Sequence, residues 1–189
     1  MSAVRKSGGA SRFLVIASVA VLAAYFLGRY YEPEARLPSV MAPDGYRMEN
    51  YRAPTPIELP GATVVDTQGL LRLLRDQRPI LVDVTPKGDE PRMQISDSLW
   101  LPNMGYGDLT DQQVSVFSRA LQKVSSGAVK RPFVFYCLAD CWLSWNAAKR
   151  AVALGVDGIY WYPAGSDGWR EAGLPLVEAE EPLSFGGEK

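Results

Sequence analysis

The chain contains no histidine. That absence removes Ser-His-Asp and Cys-His nucleophile arrangements, the HExxH zinc site and every imidazole proton shuttle together, so any nucleophile must be activated by other means. Cysteine is nearly missing as well, with 2 in 189 residues, too few for a four-ligand structural zinc site within one chain. Nor is there an excess of charge of either sign. With 20 basic and 21 acidic residues and a formal net charge of -1, no broad basic field is present to neutralise phosphates, which sets nucleic acid aside as a partner.

What is present is concentrated. Both cysteines fall in the stretch Tyr136-Cys137-Leu138-Ala139-Asp140-Cys141-Trp142, between the apolar run Pro132 to Tyr136 and a helical pattern. A thiol placed where a buried strand gives way to a helix meets backbone N–H groups and the positive end of the helix dipole, and both favour thiolate. If the segment from Cys137 to Leu143 curls into a cup over a helix that starts near Ser144, the backbone of Leu138, Ala139, Asp140, Trp142, Leu143 and Ser144 forms the binding wall. Its N–H groups then converge on Cys137 and hold a thiolate, a bound oxyanion or a persulfide without an imidazole. Cys137 is therefore the candidate nucleophile, and Cys141 the candidate resolving thiol or disulfide partner. A plain local disulfide, two buried inert thiols and a two-cysteine site for a soft monovalent ion are the competing readings of the pair. Trp142, inside the loop, is expected to shape the mouth of the pocket, whereas Trp100, Trp145, Trp161 and Trp169 read as core or rim packing. No resident cofactor or metal is expected.

The N-terminus reads as export or anchoring. Arg5, Lys6 and Arg12 precede an uncharged run from Phe13 to Leu27 that is closed by Arg29 and the pair Tyr30-Tyr31, so residues 1–31 are expected to be a signal anchor or a cleaved signal peptide. The bulk of the chain is then expected in the periplasm, tethered to the inner membrane or released. Residues 32–60 carry prolines at 33, 38, 43, 54, 56 and 60 and read as a tether or a segment laid over the domain, with Tyr46, Met48 and Tyr51 available to pack.

From Ala62 onward strands and helices alternate. Ala62 to Val65 is a β-type run, and Asp66-Thr67 caps a helix bearing Leu70, Leu71, Leu73 and Leu74. Pro79 to Val84 is a buried strand, and Thr110 with Gln113 forms a capping box ahead of Val114, Phe117, Leu121 and Val124. Phe133 to Tyr136 is the next strand, followed by a helix whose small-residue face holds Ala147, Ala148, Ala151 and Leu154 and whose Lys149 and Arg150 read as a solvated face. Gly158 to Tyr162 is a further strand, and Pro163 to Gly168 a turn-rich loop ending at Trp169. This predicts an α/β three-layer sandwich with a mainly parallel central sheet over residues 61–178, followed by a flexible tail, 179–189. Ligands bind such sheets beyond the strands' carboxyl ends, where Cys137 lies.

Phe133 to Cys137, the Ala-rich helix, Gly155, and Gly165-Ser-Asp-Gly168-Trp169 through Leu176 together resemble the rhodanese domain. The resemblance implies a persulfide-carrying cysteine at Cys137, and it matches Asp83 to an aspartate common in that family's "VDVR"-like strand, with Thr85 where the arginine would stand. Trp100-Leu-Pro-Asn103, Cys141-Trp142, Ser144 to Arg150 and Trp161 to Trp169 more closely resemble the pyrroloquinoline-quinone-dependent catabolism-associated CXXCW motif proteins. That likeness implies an exported bacterial protein accompanying quinoprotein alcohol oxidation, with a quinoprotein dehydrogenase or its cytochrome c as partner. Two departures stand out: three residues separate the cysteines here instead of two, and the loop contains Asp140 but no cation to grip an anionic donor such as thiosulfate. The functional expectation is an exported sulfurtransferase or thiol redox protein acting through Cys137, or else a catalytically silent rhodanese-like module that docks a dehydrogenase, a cytochrome or a quinone-related ligand.

Overall fold

The structure is a computed structural model, and it describes residues 45–88, 91–127 and 129–182. The expected signal or anchor segment, the first part of the Pro-rich stretch and the end of the tail lie outside these residues. Among the described residues no helix is long and apolar enough to cross a membrane.

The two most apolar runs become the centre of the sheet. Ile80–Asp83 (β2) and Phe133–Tyr136 (β5) are buried at every position and pair in parallel register, Val82 opposite Phe135. β-branched and aromatic side chains suit a pleated layer covered on both faces, which is why these runs do not alternate with polar residues. Ile159–Trp161 (β6) flanks β5, Thr63–Val64 (β1) flanks β6, and Leu99–Trp100 (β4) flanks β2, all parallel, giving the order β1-β6-β5-β2-β4. A separate antiparallel pair, Met93–Gln94 (β3) and Val177–Glu178 (β7), ties the chain beyond β2 to the last described strand.

The pleat sorts side chains between two cores. On one face Ile80, Val82, Phe133, Phe135 and Trp161 meet Phe117 and Leu121 of Asp111–Ser125 (α2) and Ala147, Ala148 and Ala151 of Trp142–Ala153 (α3). On the other, Leu81, Val134, Tyr136 and Tyr162 meet Leu70 and Leu73 of Thr67–Asp76 (α1) and Trp169 of Gly165–Glu171 (α4). The result is the expected three-layer α/β sandwich. Helix starts follow the sequence signals: the Asp66 carboxylate accepts from Gly69 N–H at the head of α1, and the Thr110–Gln113 box caps α2.

Three local expectations are corrected. The stretch around Gly165 to Gly168 is helix α4, not a turn-rich loop, because Trp169 draws it onto the second core. Helix α3 begins at Trp142, ahead of Ser144. Leu154 leaves the small-residue face, being the exposed C-cap of α3. The described part of the Pro-rich stretch, residues 45–60, lies against the domain: Leu59 is buried and Tyr51 and Ala53 pack on the first core.

Candidate active site

β5 carries Cys137 to the carboxyl edge of the sheet, where the chain must reverse into α3. The reversal occurs at Asp140, which adopts φ 48, a left-handed conformation that aspartate tolerates better than most residues. It brings Cys141 to the N-cap of α3 and folds its sulfur back toward Cys137. Both cysteines are free and almost wholly buried.

Their environments differ. The Cys137 thiol donates to the Cys141 sulfur, and this together with burial pushes the Cys137 pKa well above the ordinary thiol value. The Cys141 side chain makes no capping hydrogen bond to the helix. The Cys137 thiol is nevertheless the main cause holding its pKa down at about 7 against burial, with the Leu143 and Leu138 amides and the Arg52 charge adding to it. A helix N-terminus and nearby amides favour thiolate, and here the Leu143 and Leu138 amides act on Cys141. Cys137 carries the proton.

Below the pair lies a buried polar cluster. Asp83, fully buried, accepts from Thr85 N–H at 2.9 Å, from the Thr85 hydroxyl at 2.6 Å and from Arg92 Nη2 at 2.8 Å. Arg92 Nη2 also donates to Thr85 Oγ1 at 2.8 Å, and that hydroxyl lies 3.5 Å from the Cys137 sulfur. Burial raises the Asp83 pKa in spite of Arg92 and the two Thr85 bonds. Arg92 thus supplies a guanidinium beside Asp83, while the strand motif itself carries Thr85. It could not be read from the sequence, because it arrives from a loop of no regular period through the short pairing of β3 with β7.

Of the other loop residues, Ala139 donates its N–H to Asp167 Oδ2 at 3.1 Å, and Asp140 is exposed. Leu138 is half-buried, while Leu143 and Ser144 are buried. Ser144 donates to the Cys141 carbonyl and accepts from Trp161 Nε1, so its hydroxyl faces the interior. Trp142 does not frame an open mouth: its indole N–H donates to the Pro54 carbonyl at 3.1 Å and the Arg47 guanidinium stacks on its ring. Arg150 is likewise not solvated; it is buried and donates to the Met104 and Tyr106 carbonyls. An open hollow of about 540 Å³ lies between the end of β1, the start of α1 and Pro163-Ala164, and neither cysteine lines it. Among the described residues no group of three or more Cys, Asp and Glu side chains is placed to hold a metal ion.

The loop is roofed by the chain's own N-terminal strap. Ala53 N–H donates to the Asp140 carbonyl at 3.0 Å, Trp142 N–H donates to the Tyr51 carbonyl at 2.8 Å, and Arg52 pairs antiparallel with Cys141. Asp167 links roof and helix, 3.9 Å from Arg52 and 2.9 Å from Arg170. A segment laid over the domain was one of the two expectations for this stretch, but the roles of Arg52 and Asp167 were missed in the sequence, since main-chain pairing leaves no side-chain signature.

No protein-family model matches the sequence, and no curated protein matches it. Solved structures do. A thiosulfate sulfurtransferase from Pseudomonas aeruginosa superposes with a TM-score of 0.50 at 21% identity over 67% of this chain, which spans only 21% of that enzyme. The human single-domain sulfurtransferase TSTD1 gives 0.40 at 24% identity over 59% of this chain and 97% of its own. Ygr203w, a yeast protein tyrosine phosphatase of the rhodanese family, gives 0.47 at 17% identity over 60% and 88%. At such identities the likeness concerns architecture, and fold does not carry function. The parallel sheet with helices on both faces, matched to the Pseudomonas enzyme, has the rhodanese-like fold.

Proposed function

We propose that this protein is a sulfurtransferase-type thiol protein in which Cys141 is the attacking thiolate and Cys137 the resolving thiol. One observation carries the reading: two free thiols meet at the junction of β5 and α3, with Cys141 at the helix N-cap, where the Cys137 thiol and two amides hold its pKa below the ordinary thiol value. A thiol whose pKa lies near ambient pH combines a large thiolate fraction with retained nucleophilicity.

The chemistry closes without a histidine. The Cys141 thiolate attacks the terminal sulfane sulfur of a polysulfide, forming a Cys141 persulfide and expelling the shortened polysulfide anion. An acceptor thiolate then takes the outer sulfur and regenerates the Cys141 thiolate. If no acceptor arrives, Cys137 attacks the inner sulfur, giving the Cys137–Cys141 disulfide and releasing hydrosulfide, with the Cys137 proton leaving to solvent. Arg92 is neutralised by Asp83 at 2.8 Å, so the cluster offers no net positive charge to a dianion, and thiosulfate is the less suited donor. The sequence resemblance supports the wider setting, an exported, membrane-tethered protein that accompanies quinoprotein alcohol oxidation beside a dehydrogenase or its cytochrome c. The tryptophans that suggested a binding rim are all buried, while the loop without a cation is compatible with the silent docking-module reading as well.

The test is intact-mass spectrometry after incubation with polysulfide. The wild type is expected to gain one sulfur or lose two hydrogens, Cys137→Ala to retain the added sulfur, and Cys141→Ala to gain none. Equal sulfur uptake by Cys141→Ala would transfer the role to Cys137, and no uptake by any form would end the thiol reading.

A further inference from the structure

The acceptor that this site is shaped to meet is a polypeptide. We propose that the cysteine pair is addressed by an extended protein segment carrying a cysteine, and that the strap around Tyr51 to Ala53 occupies the place of that segment in the resting protein. The inference rests on the thiol reading above and names its substrate class.

The strap is recognised by its main chain. Ala53 N–H, the Tyr51 carbonyl, and the Pro54 and Glu58 carbonyls are bound by the Asp140 carbonyl, Trp142 N–H, Trp142 Nε1 and Trp145 Nε1 respectively, at 2.8 to 3.2 Å. None of these bonds depends on a strap side chain, so any extended chain can make them, in the manner of strand addition to an open edge. Both indole N–H groups lie on the first turn of α3, which directly follows Cys141, and donate to strap carbonyls. That is a way of fixing peptide register over Cys141.

Register identifies the chemistry. Arg52 is the antiparallel partner of Cys141, and residues directly opposed in such a pair project to the same side with Cα atoms about 4.5–5.5 Å apart. Disulfides span Cα separations of about 4.4–6.8 Å. A partner cysteine at the Arg52 position therefore comes within reach of the Cys141 sulfur, where its thiolate can take the outer persulfide sulfur and leave the Cys141 thiolate. The resident arginine cannot react there. Its side chain is 56% exposed, and its charge favours the Cys141 thiolate. With the strap in place the sulfurs are roofed, and Cys141 is only 3% exposed.

The experiment uses the full chain and its Ala53→Pro variant, which removes the N–H donor that holds the strap to Asp140. The probe is a synthetic peptide of residues 47–58 with Arg52→Cys, its thiol activated as a mixed disulfide with thionitrobenzoate. Controls are the same peptide N-methylated at the Ala53 position and the glutathione mixed disulfide. Cys141 thiolate displaces thionitrobenzoate and forms the protein–peptide disulfide. Expected are faster release with Ala53→Pro than with wild type, a peptide rate about tenfold above glutathione, equivalent to roughly one main-chain hydrogen bond, loss of that advantage on N-methylation, and the adduct on Cys141. Equal rates for peptide and glutathione, or no effect of N-methylation, overturn the inference while leaving the thiol reading intact. Failure of every probe with both proteins overturns both.

Discussion

Cys137 donates its thiol proton to the sulfur of Cys141, and the two residues thereby divide their acidity unequally. The four-residue spacing makes this possible: the left-handed turn at Asp140 reverses the chain between strand and helix, so the sulfur at the end of β5 meets the sulfur at the N-cap of α3. The protons of such a pair come off in two macroscopic steps. The first, near 7, leaves the charge on Cys141, where two amides and Arg52 favour it.

Thiolate absorbance against pH is therefore expected to rise with a midpoint near 7 and again at strongly alkaline pH. Cys137→Ala removes the S–H donor and shifts the first midpoint upward. Stability follows with a definite sign. The folded pKa of Cys141 lies below the free-thiol value of 9.0, so its contribution is present above pH 9.0 and is lost as pH falls through about 7. The raised pKa of Cys137 works oppositely, contributing below 9.0 and fading at higher pH. Denaturation midpoints of wild type should fall between pH 9 and 7 more than those of Cys141→Ala. A single ionisation at the ordinary thiol value would contradict this account.

Arg92 and Asp83 form a 2.8 Å ion pair whose carboxylate is fully buried. Removing only the cation should be costly, about 3 kcal/mol for Arg92→Leu, because the carboxylate keeps its burial penalty and loses its counter-charge. The folded pKa of Asp83 is already raised, so its neutral form is favoured by folding; its contribution is present below 3.8 and is lost as pH rises through the folded value. Arg92→Leu raises it further, so the deficit should shrink in mild acid. Urea denaturation at neutral and mildly acidic pH measures it, and Asp83→Asn in the Arg92→Leu background should recover much of the loss. A deficit independent of pH would show that packing, not charge, is what Arg92 supplies.

The sequence made much of this legible where local chemistry and tertiary fold agree. The runs Ile80 to Val84 and Phe133 to Tyr136 are apolar at every position, so only a doubly covered strand suits them, and the caps at Asp66 and Thr110 announce their helices. The location of the thiols followed from the same pattern. Which sulfur is ionised did not, because that depends on where Leu143 N–H and Arg52 come to rest after a turn only the folded chain specifies. α4 was hidden because its sequence, Gly165-Ser-Asp-Gly-Trp-Arg-Glu, is turn-like locally and becomes helical through Trp169. Arg92 and the pairing of Arg52 with Cys141 were hidden because their contacts lie across the chain, made through carboxylate burial and main-chain pairing.

Gly165 bears on the loop directly. It has φ +57, and a Cβ there would overlap the Cys137 carbonyl oxygen and the Leu138 carbonyl group. Gly173, with φ +76, has open space where its Cβ would be. Gly173→Ala should therefore cost about 1 kcal/mol, the ordinary price of left-handed backbone for alanine. Gly165→Ala should cost about 3 kcal/mol, since backbone on both sides must shift, and should disturb the cysteines as well. Denaturant titration gives the stabilities, and the thiolate midpoint of each variant gives the loop. Equal costs at the two positions would mean that α4 does not press on the cysteine loop.

Asn146 is the buried clasp of the strap. Its side-chain carbonyl accepts from Arg47 N–H at 3.0 Å while its amide donates to the Arg47 and Gly105 carbonyls, both at 2.9 Å. Asn146→Leu fills similar volume and can make none of these bonds, leaving the Gly105 carbonyl buried without this donor; a loss of about 2–3 kcal/mol is expected. Asn146→Asp keeps the acceptor for Arg47 and loses both donors, so it should fall lower than wild type at the same site while keeping part of the clasp. Because the strap roofs the sulfurs, loosening it should also speed trypsin cleavage after Arg52 and alkylation of Cys141 together. Alkylation that rises without cleavage would place the opening elsewhere, in the α4 side of the roof where Asp167 holds Ala139.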